Sequence, residues 1–212
     1  TVRQGDYADE STMTSALKGV EKLLLISSSE VGQRATQHQN VINAAKAAGV
    51  KFIAYTSLLH ADKSPLGLHV EHVATEKALA ESGIAYALLR AGEGKIASAT
   101  RADYAAAAAK VISGDGHAGN VYELAGDHAW TLSELAAELS KQSGKNVAYQ
   151  NMSEADFAAA LKGVGLPAGL ADMLADSDVG ASKGGLFDDS HTLSKLIGRP
   201  TTPLSESIKA IL

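Results

Sequence analysis

Short apolar runs that alternate with helical segments constrain the fold of this chain more than any other feature. Residues 21–26, 50–55 and 84–89 are such runs, with the length and the apolar side chains of buried strands. Between them, residues 32–48 and 69–81 repeat apolar side chains at helical spacing. Strands that alternate with helices in this way predict parallel βαβ units with right-handed crossovers, and hence an open α/β sheet.

The second half of the chain continues this pattern less regularly. A capping box at Thr100 is expected to open one further helix, and residues 131–134 are expected to start another. Residues 120–125 and 146–150 have the composition of short strands. From Ser153 onward the chain is predicted to be helical, so we expect this part to form a separate lobe.

The composition excludes several classes of function. The 212 residues include no cysteine, so a disulfide framework, a thiolate metal site and a cysteine nucleophile are excluded, and a cytoplasmic location suits the chain. A net charge of -5 with scattered lysine and arginine argues against nucleic acid as a partner. Charged residues or glycines interrupt the longest apolar stretches, which argues against a membrane. These features favour a small ligand.

Three short motifs match known signatures but lack the structural context that each signature needs. Residues 180–184 fit the hydrolase nucleophile elbow, yet a polar, helix-like segment precedes them where a strand is required. Residues 114–119 match the dinucleotide fingerprint, but they follow a helix and precede a strand, which reverses the required order. Residues 92–97 follow a strand, but no helix begins immediately after them, so a plain turn is favoured.

Two imidazoles one helical turn apart, His69 and His72, raise the question of a metal site. The sequence offers no convincing third ligand, and the acidic residues near the carboxyl terminus lack the spacing of a calcium loop. We therefore expect no metal. We expect His72 to face a ligand cleft instead, because its helix begins soon after a strand end.

Small hydroxyl side chains follow two of the predicted strands. Ser27, Ser28 and Ser29 follow the first strand, and Thr56 and Ser57 follow the second. Ligands of open α/β sheets bind at the carboxyl ends of the strands, where such side chains offer hydrogen bonds to ribose and phosphate. Serine and threonine are also common helix caps at strand-to-helix turns, so this position alone leaves both interpretations open.

Several segments occur in the same order and at similar spacing in one known family. They are residues 23–29, 54–57, 72–77, 82–84, 88–90, 122–126, 131–135, 165–167 and 196–200. Through them the chain resembles the NmrA-like branch of the atypical short-chain dehydrogenases, and within it most closely the bacterial type 2 NADPH:quinone oxidoreductases. The resemblance covers nearly the whole chain, although no single segment is specific.

This resemblance implies a Rossmann-type doubly wound parallel sheet with a smaller C-terminal α/β lobe. Residues 1–112 are then an incomplete NAD(P)-binding domain, and residues 113–212 a lobe on the substrate side, from which some strands and helices return to the main domain. The implied activity is hydride transfer from NADPH to a quinone, with a homodimer as a candidate assembly. The alternatives are a non-catalytic NADP(H)-binding redox sensor and a fragment that binds no dinucleotide.

The resemblance also assigns residues to the cofactor. Ser27, Ser28 and Ser29 are expected to contact it, and Asp6 and Tyr7 are expected to lie near its adenine. The remaining expected cofactor contacts lie on the next two strands, and they are Thr56, Ser57 and Arg90.

The proton donor stays open between Tyr55 and His72, of which His72 is favoured. His72 occupies the position at which many relatives in the wider superfamily have an active-site lysine, and Lys77 is expected to face solvent. The usual Tyr-x-x-x-Lys pair is therefore missing. Its absence argues against alcohol dehydrogenase chemistry and favours quinone reduction, in which the nicotinamide carries out the difficult step and the protein positions the acceptor.

The chain departs from the family pattern in two places. The family begins with a strand, a glycine-rich turn and a helix, about 30 residues or more that hold the pyrophosphate, and this N-terminal βαβ unit is expected to be missing here. Relatives also have a longer segment after the position of Arg90, where this chain passes directly to Ala91 and Gly92. The preference between NADPH and NADH depends on a residue after the second strand of the family, so it stays open.

Overall fold

The structure is a computed structural model that describes residues 1–91 and 97–212. The strands are β1 (Lys22–Leu25), β2 (Phe52–Leu58), β3 (Ala85–Ala91) and β4 (Val121–Leu124). The helices are α1 (Glu10–Ala16), α2 (Arg34–Ala48), α3 (His69–Ser82), α4 (Arg101–Ser113), α5 (Leu132–Ser143), α6 (Glu154–Gly163), α7 (Ala168–Ser182), α8 (Thr192–Ile197) and α9 (Leu204–Lys209). Residues 92–96, which make up most of the turn expected at residues 92–97 and follow Arg90 and Ala91, lie outside the described residues.

The strands pair in parallel in the order β1–β2–β3–β4. Their side chains explain the pairing, because a parallel sheet is buried on both faces and needs near-continuous apolar runs. Ile53 and Tyr55 of β2 and Ala87 of β3 are fully buried. The expected α/β fold is therefore confirmed. Across the described strands the order runs in one direction, without the reversal of a doubly wound sheet.

Side chains alternate between the two faces of the sheet, and helices cover both faces. Ile53 and Tyr55 pack in a cluster with α1, α2 and α3 on one side, which we call the α2 face. Ala54 and Leu89 pack with α4 and α8 on the other side, which we call the α4 face. Because the strand order does not reverse, the crossover through α4 has the opposite hand to those through α2 and α3. The expectation of right-handed crossovers concerned only the units through α2 and α3, which lie on the same face of the sheet.

Several helix boundaries follow capping residues that are visible in the sequence. The capping box expected at Thr100 begins α4, and the helix expected to start at Thr131 is α5, which a second capping box begins. α2 ends at Gly49, whose φ of 78° lies in the left-handed region that favours glycine. α1 was not among the predicted helices, although Asp9 caps it by accepting hydrogen bonds from backbone N–H groups of its first turn.

Two strand predictions differ from the structure. Residues 146–150 form no strand: they are exposed, and no described strand lies beside them to supply hydrogen bonds. β2 is longer than expected and runs through Leu58, so Thr56 and Ser57 lie inside the strand rather than after its end. The cause is β3, which pairs with β2 along its whole length.

The carboxyl-terminal half of the chain returns to the sheet. β4 pairs with β3, and α8 packs against α4 and β4. α7 and the turn after it pack against the loop that follows β2, where Ala181 and Leu186 are buried with Leu66. The division into residues 1–112 and 113–212 stays a prediction.

A buried carboxylate, Asp103, joins α4 to the carboxyl-terminal segment. It is fully buried, and it accepts hydrogen bonds from the backbone N–H of Thr202 at 3.0 Å and from Arg199 Nη1 at 2.6 Å. It also completes the capping box with Thr100. A buried charge is tolerated when it is paired and hydrogen-bonded in this way.

A second carboxylate, Asp127, joins the loop after β4 to the same segment. It accepts hydrogen bonds from Ser194 Oγ at 2.6 Å, from the backbone N–H of Thr201 at 2.8 Å and from His191 Nδ1 at 3.0 Å. Burial raises the pKa of Asp127, but these hydrogen bonds outweigh burial and lower the pKa to about 2.

We expect Asp127→Asn to lower the free energy of unfolding by about 1 kcal/mol at neutral pH, because a charged acceptor is lost from a partly solvated site. The folded-state pKa of about 2 lies below the ordinary value near 3.9, so the contribution is present above about pH 4 and is lost as the pH falls toward 2. Urea unfolding of both proteins at neutral and acid pH measures it. A stability difference that persists unchanged below pH 3 would contradict the assignment.

Candidate functional site

The carboxyl ends of β1 and β2 are joined by a hydrogen bond between two residues of the expected site. Thr56 Oγ1 accepts a hydrogen bond from the backbone N–H of Ser27 at 2.8 Å. Tyr7 Oη donates to the carbonyl oxygen of Ile26 at 3.2 Å, immediately before the serines. The structure therefore brings together Tyr7, Ser27 and Thr56, which are far apart in the sequence. Asp6 is exposed next to Tyr7, and its carboxylate accepts a hydrogen bond from the backbone N–H of Ala8.

His38 of α2 holds the second serine by its backbone. The N–H of Ser28 donates to His38 Nε2 at 3.0 Å, so Nδ1 carries the proton and donates to Thr75 Oγ1 at 2.9 Å. Thr75 Oγ1 in turn donates to the carbonyl oxygen of Glu71 at 3.0 Å. Arg34 Nε donates to the carbonyl oxygen of Ser28 at 2.7 Å. Both polar groups of the Ser28 backbone are therefore fixed by helix residues.

His38 was not among the predicted site residues, although its position carried a signal. It lies three and four residues before Val41 and Ile42, so it shares the apolar face of α2 that packs on the sheet. A histidine on such a face must be neutral or paired. Burial, helped by the charge of Arg34, lowers the pKa of His38 to about 4, so the ring is neutral near pH 7.

The two expected catalytic residues, Tyr55 and His72, are hydrogen-bonded to each other. Tyr55 Oη lies 2.8 Å from His72 Nδ1, and both side chains are buried on the α2 face. Burial raises the pKa of Tyr55 to about 12, and the nearby hydroxyls of Thr75 and Ser27 offset it only in part. Burial, with the charge of Arg34, lowers the pKa of His72 to about 3. The pair is therefore neutral near pH 7, and its role as proton donor stays a prediction.

Ser57 and Arg90 belong to an ion-pair cluster on the same edge of the sheet. Ser57 Oγ donates to Glu76 Oε1 at 2.7 Å, and Arg90 binds both oxygens of Glu76 at 2.9 and 2.7 Å. Arg90 Nη1 also lies 2.6 Å from Asp62 and 3.0 Å from Glu123. The hydrogen bonds that Arg90 donates to Glu76 outweigh burial and raise the pKa of Arg90 above its ordinary value. This geometry gives Arg90 a structural role, and its contact with a cofactor stays a prediction.

An apolar cavity of about 470 Å³ opens on the α4 face at the carboxyl ends of β2, β3 and β4. Thr56 lies in its wall, so the cavity begins beside the bond that joins Thr56 to Ser27. The strand residues Leu58, Leu89, Ala91 and Leu124 form its floor. The other lining residues come from α4, α7, the turn after α7 and the loop after β2, and they are Leu66, Leu68, Tyr104, Ala108, Met173, Leu174, Ser177 and Leu186.

Neighbouring strand residues explain why the cavity and the expected catalytic pair are separate. Tyr55 and Thr56 are adjacent in β2, so their side chains point to opposite faces of the sheet. Tyr55 therefore packs with α2 and α3, whereas Thr56 meets the cavity. The sequence did not predict that residues of α7 line the cavity. The sequence of α7 has no motif that indicates it, and α7 reaches the cavity only through tertiary packing.

Free hydroxyl groups at the strand ends suit a ribose or a phosphate. Ser28 Oγ is buried and has no hydrogen-bond partner among the described residues. Thr56 Oγ1 accepts from Ser27 N–H, which leaves its own proton available for donation. Ser29 is exposed. A donor set of this kind fits a dinucleotide that lies along the carboxyl edge of the sheet.

The structure gives no support to a metal site or to a hydrolase. Residues 1–91 and 97–212 contain no cluster of metal-ligating side chains. His69 and His72 have separate hydrogen-bond partners: His69 Nδ1 lies 2.7 Å from the carbonyl oxygen of Leu66, and His72 contacts Tyr55. Residues 180–184 end α7 and have no strand before them, so the elbow match is accidental. Among the helices of the described ranges, none is long and apolar enough to cross a membrane.

A parallel α/β sheet with free hydroxyls at its carboxyl edge and an adjoining apolar cavity defines a Rossmann-type nucleotide-binding protein. The match to a family model makes this assignment specific. Residues 1–115 match the model of the NAD(P)H-binding family, and the chain belongs to that family.

Proteins of known activity agree with this assignment. The chain is 74% identical to quinone oxidoreductase 2 of Escherichia coli (strain K12), over 98% of this chain and 81% of that protein. A crystal structure of the NADPH-dependent quinone oxidoreductase from Escherichia coli, in complex with NADPH, matches with a TM-score of 0.95 and 71% identity, over 100% of this chain and 83% of that one.

More distant structures share the fold. Triphenylmethane reductase from Citrobacter, in complex with NADP(H), is 35% identical with a TM-score of 0.89, over 100% of this chain and 83% of that one. The negative transcriptional regulator NmrA, in complex with NAD, has 14% identity and a TM-score of 0.73, over 100% of this chain and 80% of that one. At 14% identity, the similarity to NmrA is evidence for a shared fold alone. The expected NmrA-like fold is therefore confirmed.

The alignment with the Escherichia coli protein also bears on the expected shortening. It runs over 232 residues, whereas this chain has 212. The relative therefore has residues, within the aligned region, that this chain lacks. This agrees with the expectation that a segment of the family is missing from this chain.

We expect NMR titration of the imidazole rings to show His38 and His72 as neutral between about pH 5 and pH 8. Burial sets their pKa values to about 4 and about 3, and His38 is further expected to carry its proton on Nδ1. The urea-unfolded chain is the control, because its histidines titrate at about pH 6.5. A folded-state midpoint for either ring above pH 6 would disprove the burial argument.

Proposed function

We propose that this protein catalyses the reduction of a quinone by NADPH. The observation that carries the proposal is the apolar cavity that begins at Thr56, on the edge where the free hydroxyls of the strand ends lie. A quinone is flat and largely apolar, and a cavity of about 470 Å³ falls within the usual range for small-molecule sites. The 74% identity to quinone oxidoreductase 2 supports the same activity.

NADPH, when bound, supplies a hydride, and the quinone takes up that hydride and one proton to become a hydroquinone. The contribution of the chain is to bind and to position. Ser27, Ser28 and Thr56 are the proposed contacts for the cofactor, with Asp6 and Tyr7 toward its adenine, and apolar side chains exclude water from the acceptor. Ser29, Ser57 and Arg90 complete the proposed cofactor edge.

Tyr55 and His72 are proposed members of this site. Because both side chains are buried, we assign them the role of holding the end of β2 in position. Their hydrogen bond lies under the strand ends, on the face opposite the cavity. The low pKa of His72, caused by burial, means that the ring has no extra proton to give near pH 7. In this proposal the pair keeps the end of β2 in place while Thr56 meets the ligands.

The redox-sensor alternative is not favoured. Its support was the NmrA-like fold, and the similarity to NmrA extends to the fold alone. A sensor that binds only a dinucleotide does not need an apolar cavity beside the cofactor edge. A cytoplasmic location goes with the proposed function and with the absence of cysteine, and a homodimer is part of the same proposal.

The activity can be measured as the loss of NADPH absorbance on addition of menadione. We expect a rate that rises with menadione concentration and then saturates, because the acceptor binds in a cavity. The same mixture without quinone gives the background. Binding of NADPH without any quinone-dependent oxidation would reject the enzyme and would support the sensor.

A substitution at Thr56 tests the link between the strand ends and the cofactor. Thr56→Val keeps the shape of the side chain but leaves Ser27 N–H without its acceptor. We expect the KM for NADPH to rise about tenfold, which corresponds to about 1.4 kcal/mol. Thr36→Val is the matched control, because the side chain of Thr36 is exposed on α2. Equal KM values for the two variants would contradict a role of Thr56 in the cofactor site.

A further inference from the structure

The loop between β2 and α3 reaches α7 at an unusually close contact. Leu66 of this loop is almost fully buried, and it lines the apolar cavity. A methyl group added at Gly180 of α7 would lie 2.7 Å from Leu66 Cγ and 2.9 Å from Leu66 Cδ1, which is closer than carbon atoms approach. Gly180 is therefore required for the packing of Leu66, since no larger residue leaves room for it.

Two further contacts fix the same loop. A methyl group added at Gly185 would lie 2.6 Å from Pro65 Cδ and 2.8 Å from Leu66 Cδ1. On the other side, the backbone N–H of Gly67 donates to Asp176 Oδ2 of α7 at 2.8 Å. Leu66 is therefore held from both sides by neighbouring residues of the loop and from behind by two glycines.

We propose that Gly180, Gly185 and Asp176 form a clamp that fixes Leu66 as a wall of the cavity and thereby sets the size of acceptor that the protein reduces. This inference rests on the proposed function. It also explains residues 180–184, whose match to a hydrolase motif has no catalytic meaning: the glycine is there for the close approach of Leu66. The clamp residues position Leu66 and touch no reacting atom.

The clamp makes two substitutions act in opposite directions. Leu66→Ala enlarges the cavity, so the kcat/KM for a two-ring acceptor should rise relative to that for a one-ring acceptor. Gly180→Ala pushes Leu66 into the cavity, which is the free volume beside it. The kcat/KM for a two-ring acceptor should therefore fall relative to that for a one-ring acceptor. A few carbon atoms in an apolar pocket change specificity by about tenfold or more.

The experiment compares menadione, with two rings, and 1,4-benzoquinone, with one. The measured quantity is the ratio of their kcat/KM values with NADPH. We expect the ratio to rise about tenfold in Leu66→Ala and to fall about tenfold in Gly180→Ala. In the double variant, removal of the leucine side chain removes the clash, and the ratio should return to the wild-type value or exceed it.

Gly169→Ala is the matched control, because Gly169 lies in the same helix and a methyl group added there meets nothing within 4 Å. Its ratio should equal that of the wild type. A shift as large as that of Gly180→Ala would overturn the clamp, because it would arise from the helix and not from Leu66. Circular dichroism checks the fold, and if Gly180→Ala fails to fold, Leu66→Ala and the double variant decide the outcome.

Calorimetric binding of both quinones separates failure of the clamp from failure of the proposed function. If the quinones bind but are not reduced, the proposed function is wrong, and the clamp is judged by the ratio of Kd values, which should shift in the same opposite directions. If the wild type reduces both quinones and neither Leu66→Ala nor Gly180→Ala changes the ratio, the clamp is overturned and the function stands. If neither quinone binds, both are overturned.

Discussion

The parallel pairing of β1, β2 and β3 is the constraint on which the rest of the structure depends. Parallel strands end at one edge, so residues separated by about thirty positions in the chain meet there. The bond from Ser27 N–H to Thr56 Oγ1 is the direct result, because it joins the ends of two neighbouring strands. The apolar cavity lies on the same edge, bounded by the ends of β2, β3 and β4.

The two kinds of polar network at this edge have different physical characters. At Ser28, an uncharged chain of hydrogen bonds through His38 and Thr75 holds the backbone N–H, and burial keeps the imidazole uncharged, while Arg34 binds the carbonyl oxygen. Around Arg90, charges do the work, because three carboxylates surround one guanidinium. The first network fixes the backbone beside the proposed cofactor, and the second ties β3 and β4 to the loop after β2 and to α3.

Sequence reasoning predicted the fold that the structure shows, whereas the position of the site and the roles of its residues stay predictions. Ser27 and Thr56 were expected at the strand ends, and the structure brings them together. Tyr55 and His72 were expected as alternative proton donors, which stays a prediction, and their side chains lie on the face of the sheet opposite the cavity. A one-residue difference in a strand changes the face, and the sequence pattern does not reveal which face meets a ligand.

The sequence by itself determined the alternation of strands and helices, their parallel arrangement and the hydroxyl-rich strand ends, because these depend on local periodicity and on short-range capping. Only the tertiary structure decided the cavity and its walls. Leu66 and Gly180 are 114 positions apart in the chain, and nothing in the local pattern of either segment relates them. Their contact arises because the helices that follow β4 pack back against the loop after β2, and close packing then specifies the glycine.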